Sequence, residues 1–128
     1  YLEEKGIEII DKGPFATDSV DYPDFVHPVC QELITQAVDM AILICGSGNG
    51  VAITANKYAK VRCGLCWTAE LAALTVQHNN ANAIAIPARF IETETALEIV
   101  EAFLDNQFEG GRHQRRVDKI NPDAPNMC

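Results

Sequence analysis

Residues 41–53, AILICGSGNGVAI, decide how the rest of the chain is read. An unbroken apolar run ends in Cys45, glycines stand at 46, 48 and 50, and a second apolar stretch starts at Val51. A run that is apolar at every position suits a strand covered on both faces, as in a parallel sheet. Residues 49–59 then have the composition of a short helix. Glycines permit positive φ and let backbone N–H groups approach an anion with no Cβ in the way. The helix behind them adds the positive end of its dipole. The turn therefore suits a negative charge, a phosphate or a developing oxyanion. Its G-x-G-x-G spacing is one residue short of the dinucleotide fingerprint, and no lysine follows in the P-loop position, so a tight connection that holds nothing is the alternative. A thiol beside such N–H groups has its thiolate favoured and can act as base or nucleophile. Free cysteine is also commonly buried, so Cys45 has a second reading as the last core residue of the strand.

Working outward, IEIID (7–11) is a β-rich run closed by Gly13 and Pro14. Helical periodicity runs through Phe25, Val29, Leu33, Ile34 and Ala37 in residues 22–39, with Pro23 suited to the first turn and Pro28 expected to delay the regular start. VRCGLCW (61–67) and NAIAIPA (82–88) are further apolar strands. Between them Thr68 caps a helix reaching Asn79, and residues 92–107 form an amphipathic helix with Ala96, Ile99, Val100, Phe103 and Leu104 on one side. A glycine break and a basic segment fill 108–120, and 121–128 have the composition of a frayed tail. At the other end, Tyr1 and Leu2 followed by Gly6 resemble the close of a helix. Alternating strands and helices predict one α/β domain over 1–128. Its form is a Rossmann-like, doubly wound parallel sheet flanked by helices in three αβα layers, with a C-terminal helical tail. Ligands of such sheets bind beyond the carboxyl ends of strands. Cys45, His78 and Arg89, just after strands or at helix ends, are expected on one rim.

The chain has 48% apolar and 22% charged residues, an ordinary globular balance, and a net charge of −8 that argues against a general nucleic-acid binder. No apolar run approaches the ~20 residues of a membrane helix, and nothing reads as a signal peptide. Five cysteines, several inside apolar runs, suit a reducing cytosol better than a disulfide framework. Cys63 and Cys66 form a C-x-x-C, but three residues apart on a strand they point to opposite faces, which favours core filling over redox or zinc chemistry.

Two polar clusters remain. QHNNAN (77–82) places His78 and Asn79 where an imidazole can shuttle a proton and an amide can bind hydroxyls; a helix C-terminus also favours histidine for its dipole alone. GGRHQRR (110–116) sets Arg112 and Arg116 four apart, on one face if helical, able to clamp a phosphate or simply to face solvent.

Together, ILICGSGNGVAITANK, QHNNAN, PARF, DYPDF and FEGGRHQRRVDKI resemble the type B ribose-5-phosphate isomerase family, which also includes the galactose-6-phosphate isomerase subunits. The order and spacing match along nearly the whole chain. The resemblance implies interconversion of D-ribose 5-phosphate and D-ribulose 5-phosphate, in the pentose phosphate pathway, by ring opening and a cis-enediolate, with no cofactor and no metal. Cys45 then matches the residue that moves the proton between C1 and C2; Val51 stands where a second branch of the family carries a glutamate, so this chain is similar to the cysteine branch. Ser47 matches the assisting hydroxyl, the amides of Gly46, Gly48, Asn49 and Gly50 the anion hole, and His78 the ring-opening acid/base. Asn79 matches a sugar-hydroxyl contact, Tyr22 the pocket edge, and Arg89, Arg112 and Arg116 the phosphate-binding arginines. A cytoplasmic homodimer or homotetramer with its pocket between subunits is implied, acting on a small sugar phosphate, with no nucleic-acid or membrane partner. Galactose-6-phosphate isomerase subunits typically lack this histidine motif and arginine tail, which favours ribose 5-phosphate. Galactose- or allose-6-phosphate isomerisation and a non-catalytic sugar-phosphate-binding module are the alternatives. The family begins with a strand ending in an Asp-His pair, followed by a helix ending near YLEEKG. An interior strand cannot be lost without unpairing its neighbours, so a native protein with roughly 20 further N-terminal residues is expected.

Overall fold

The computed structural model describes residues 1–122. Its elements follow in the order α1 (Tyr22–Ile34), β1 (Ala41–Cys45), α2 (Asn49–Ala55), β2 (Cys63–Leu65), α3 (Ala69–Asn79), β3 (Ala83–Pro87), α4 (Thr93–Asp105) and α5 (Arg112–Asp118), after a short 3-10 turn at Glu3–Lys5. The three strands are parallel in the order β1–β3–β2. The α/β reading therefore stands, with helices on both faces of the sheet. The expected tail at 121–128 lies largely outside the described residues.

The central strand explains the layers. Along β3 small and large residues alternate, and every one is buried. Ala83 and Ala85 face one side and meet Val26, Cys30 and Leu33 of α1 and Val51, Ala52 and Ala55 of α2. Ile84 and Ile86 face the other and meet Ala72 and Val76 of α3 and Ile99, Val100 and Phe103 of α4. Methyl groups on one face let two helices approach closely, while the isoleucines fill the wider space opposite. Cys63 packs with the first cluster and Cys66 with the second, the opposite-face placement that strand geometry predicts.

Several local expectations change. Residues 7–11 form no strand, and Ile9 and Ile10 are exposed. A strand exists only where a neighbour accepts its ladder, and no described strand lies on the open side of β1. Coverage of β1 is complete on one face only: Ala41 and Leu43 are buried, whereas on the other Ile42 packs against the α3–α4 cluster and Ile44 is 61% exposed because that layer is centred on β3. Pro28 does not delay α1, which starts at Tyr22 and carries Pro28 in its interior. Both Pro28 and Asp24, whose carbonyl loses its partner, are exposed, so water replaces the missing hydrogen bond. The Thr68 cap is as predicted, its Oγ1 accepting the Leu71 N–H at 3.2 Å. The close of a helix expected at Tyr1–Gly6 is a 3-10 turn with Gly6 left-handed, at φ +76°. No helix among the described residues is long and apolar enough to cross a membrane.

Opposite errors in β3 should both destabilise. Ile84→Ala, opening a cavity, is expected to cost about 2–5 kcal/mol, and Ala85→Val, overfilling the α1–α2 side, about 1–3 kcal/mol. Denaturant midpoints at unchanged m-value measure both; a neutral Ala85→Val would contradict close packing there.

Candidate active site

The β1–α2 turn is built as the glycines suggest. The Gly48 N–H points at Cys45 Sγ, 3.2 Å away, and the Asn49 N–H donates to Ser47 Oγ at 3.3 Å. Gly48 is left-handed, at φ +75°, and a Cβ there would come within 2.5 Å of Leu65 Cδ1. A Cβ on Gly50 would stand 2.5 Å from the Tyr22 ring, so Tyr22 sits directly against the turn. The two glycines thus admit the turn between strand, helix and a tyrosine from α1.

Arg89 arrives from β3. Beyond the strand ends, the Ala88 N–H donates to the Cys45 carbonyl and the Arg89 N–H to the Gly46 carbonyl, each at 3.0 Å. The guanidinium lies over Gly46, whose Cβ, if present, would be 3.3 Å from Arg89 Cζ. A thiol, a row of N–H groups and a fixed cation therefore meet on one rim. Among the described residues Arg89 is in no ion pair, and neither are Arg112 and Arg116.

His78 is not on that rim, which corrects the expectation placing it with Cys45 and Arg89. In right-handed βαβ units, helix N-termini sit with strand C-termini and helix C-termini sit at the far end. His78 and Asn79 close α3, beside the start of β3. The Arg62 side chain donates to the Asn80 carbonyl at 2.6 Å, and the Arg62 N–H to Asn82 Oδ1 at 2.8 Å, binding this end to the beginnings of β2 and β3. Five residues of strand put the two rims roughly 15 Å apart. Arg112 and Arg116 lie on the His78 rim, since α5 follows the far end of α4 and the Glu109 N–H donates to the Gln77 carbonyl at 3.0 Å. The basic segment is helical, so the two arginines share a face as their spacing allows.

Two residues that sequence reasoning missed join this second rim. The His113 ring stacks on His78 with centroids 4.2 Å apart, and Glu109 faces both. Burial pushes the His113 imidazole below its ordinary range, and His78 acts in the same direction. The two histidines are 35 residues apart, so no local motif announces them.

The thiols differ sharply. Cys30 and Cys66 are buried, while Cys45 is part-exposed. Burial pushes the Cys63 thiol up to about 12 and the Cys66 thiol up to about 11, and raises Cys30 as well. Both C-x-x-C members are thus protonated core groups, not a redox or metal pair.

The family described as Ribose/Galactose Isomerase matches residues 1–120. Ribose-5-phosphate isomerase B of Escherichia coli (strain K12) is 43% identical over 120 residues, covering 94% of this chain and 80% of the relative. The crystal structure of a ribose 5-phosphate isomerase from Thermotoga maritima aligns with a TM-score of 0.93 at 45% identity, over 95% of this chain and 84% of that one. Ribose-5-phosphate isomerase B from Mycoplasma genitalium, solved with bound ribulose-5-phosphate, aligns with a TM-score of 0.89 at 43% identity, over 93% and 80% of the two chains.

Iodoacetamide at about pH 8 should label Cys45 well ahead of Cys30, Cys63 and Cys66, because only thiolate reacts and those three thiols are held protonated or enclosed. Peptide mapping reads this; labelling of Cys63 at the pace of Cys45 would contradict it.

Proposed function

This chain belongs to the ribose/galactose isomerase family, and on that premise we propose how its residues carry out the reaction. It interconverts D-ribose 5-phosphate and D-ribulose 5-phosphate. The observation that carries the assignment of roles is the Gly48 N–H aimed at Cys45 Sγ, in the same turn whose Gly46 lies against the Arg89 guanidinium.

Ring opening exposes the C1 aldehyde and makes the C2 proton acidic. Cys45 Sγ takes that proton and returns it to C1. The amides of Gly46, Gly48, Asn49 and Gly50 serve as the anion hole for the enediolate oxygens, those of Gly48 and Asn49 turning to them from Cys45 Sγ and Ser47 Oγ, and the Ser47 hydroxyl moves protons between O1 and O2. Backbone donors fixed by the turn lie close to where charge develops, so they stabilise the intermediate with little rearrangement. Tyr22 forms the pocket edge beside Gly50. His78 opens the furanose, Asn79 binds a sugar hydroxyl, and Arg89, Arg112 and Arg116 hold the phosphate. That grip uses a non-reacting part of the substrate to position the reacting carbons.

One protomer cannot do this alone. Cys45 and His78 occupy opposite rims, farther apart than one pentose phosphate reaches. The site is completed in a homodimer or homotetramer, where the Cys45 rim of one subunit meets the partner subunit's His78, Asn79, Arg112 and Arg116. The free cysteines among the described residues accord with a reducing cytoplasm.

The first test is proton NMR of ribose 5-phosphate in D₂O with the full-length protein beside its Cys45→Ala variant. Deuterium should enter C2 with the unmodified protein, and about 10²–10⁴-fold more slowly with the variant. Binding without exchange in either would identify a sugar-phosphate-binding module; faster exchange on a six-carbon aldose phosphate would change the substrate.

Arg112→Ala is expected to raise KM about 10- to 100-fold, the worth of one charge-assisted hydrogen bond, with a smaller effect on kcat. An unaltered KM in steady-state kinetics removes Arg112 from the phosphate site.

A further inference from the structure

The end of α3, the loop after α4 and the first turn of α5 gather three titratable side chains. The His78 and His113 rings lie face to face with their planes 12° apart. Glu109 Oε1 is 3.8 Å from Nε2 of His78 and 3.7 Å from Nε2 of His113. The His113 side chain is only 10% exposed and that of His78 38%, so the stack has one closed ring and one open ring.

The arrangement is held from several directions. The Glu109 N–H bonds the Gln77 carbonyl, and the Gln77 amide donates to Asn106 Oδ1 at 2.6 Å. Asn106 in turn donates to the Ala102 carbonyl at 2.7 Å, tying the loop to α4. Gly110 and Gly111, at φ +68° and +55°, turn the chain so that α5 delivers His113 beneath His78.

The three donor groups lie within 4.8 Å of one another, which raises the question of a metal. The stack argues against one. A cation shared by two parallel rings this far apart would lie about 2 Å out of each ring plane, the whole length of an imidazole–zinc bond. Proton chemistry fits better. Two stacked imidazolium ions repel, and one carboxylate offsets a single charge. The groups facing the closed ring are His78 on α3, Glu109 in the loop, and Arg112 and Arg116 on α5; of these only Glu109 favours a charged His113. Burial disfavours it further, so the closed ring is a poor place for a proton.

We propose that Glu109 and His113 are positioning residues for proton transfer at His78: the carboxylate faces the Nε2 atom of both rings, and the buried ring fixes the plane of the exposed one. This rests on the reading of His78 as the ring-opening group. As the C1–O4 bond of the furanose breaks, the His78 N–H proton passes to O4, the C1 carbonyl forms, and the anomeric hydroxyl gives its proton to water. At 3.8 Å Glu109 lies beyond hydrogen-bond distance of His78, so the nitrogen stays open to substrate with the carboxylate still adjacent.

The substrates separate ring opening from proton transfer at carbon. Ribose 5-phosphate closes through O4. Ribulose 5-phosphate, its O5 phosphorylated, cannot close a furanose and is already open-chain. In full-length protein, Glu109→Gln should lower kcat with ribose 5-phosphate about tenfold or more, while deuterium exchange at C1 of ribulose 5-phosphate stays within about twofold. His113→Leu should show the same selective loss, and His113→Phe, which restores a flat ring, should recover most of it. Glu109 is exposed and, among the described residues, hydrogen-bonds only through its backbone N–H, so its variant tests the proposal even if His113→Leu does not fold. Unchanged rates in both reactions, or equal loss in both, would overturn the proposal. Absence of exchange from ribulose 5-phosphate with the unmodified protein would instead overturn the isomerase reading.

Discussion

The parallel ladder between β1 and β3 runs on beyond both strands, and the geometry of each rim follows from it. At the carboxyl end it continues as Ala88 to Cys45 and Arg89 to Gly46, so the thiol, the glycine turn and the guanidinium are set in one register. At the amino end the Ala41 N–H bonds the Asn82 carbonyl, while the Asn82 side chain holds the Lys60 carbonyl and the Arg62 N–H. A slip of one residue would exchange the alanine and isoleucine faces of β3 and move Arg89 off Gly46. Core packing and the chemistry of the turn thus depend on the same pairing.

The fold was legible wherever the signal was local. Thr68 announces the start of α3 because a hydroxyl ahead of an apolar helix has a free N–H within reach. The opposite placement of Cys63 and Cys66 follows from strand period alone. IEIID was misleading because β propensity describes a surface that fits a sheet, whereas a strand also needs a neighbour. Pro28 misled for the reverse reason: its cost depends on whether the freed carbonyl reaches water, and Asp24 does.

For the candidate site, residues could be named singly from the sequence, but not their arrangement. A helix end is not one place, since the two ends of α3 lie at opposite rims. Grouping His78 with Cys45 by its nearness to a strand overlooked which end of the strand it adjoins. The stack of His78 on His113 lies further from sequence reasoning still. It needs the positive φ of Gly110 and Gly111 to aim α5, and glycine composition records only that such a turn is allowed.

The separation of the rims has a chemical consequence. Ring opening requires an acid that gives up a proton to oxygen, whereas enolisation requires a base that takes one from carbon. Side by side on one protomer, a thiolate and an imidazole would exchange their proton directly, and each would set the other's charge. Cys45 lies beside the Gly48 N–H at one end of the sheet and His78 beside Glu109 at the other, so the two groups have separate surroundings. In the proposed assembly they meet where two subunits enclose a substrate between them, which would bring the acid and the base together without either having to be built beside the other.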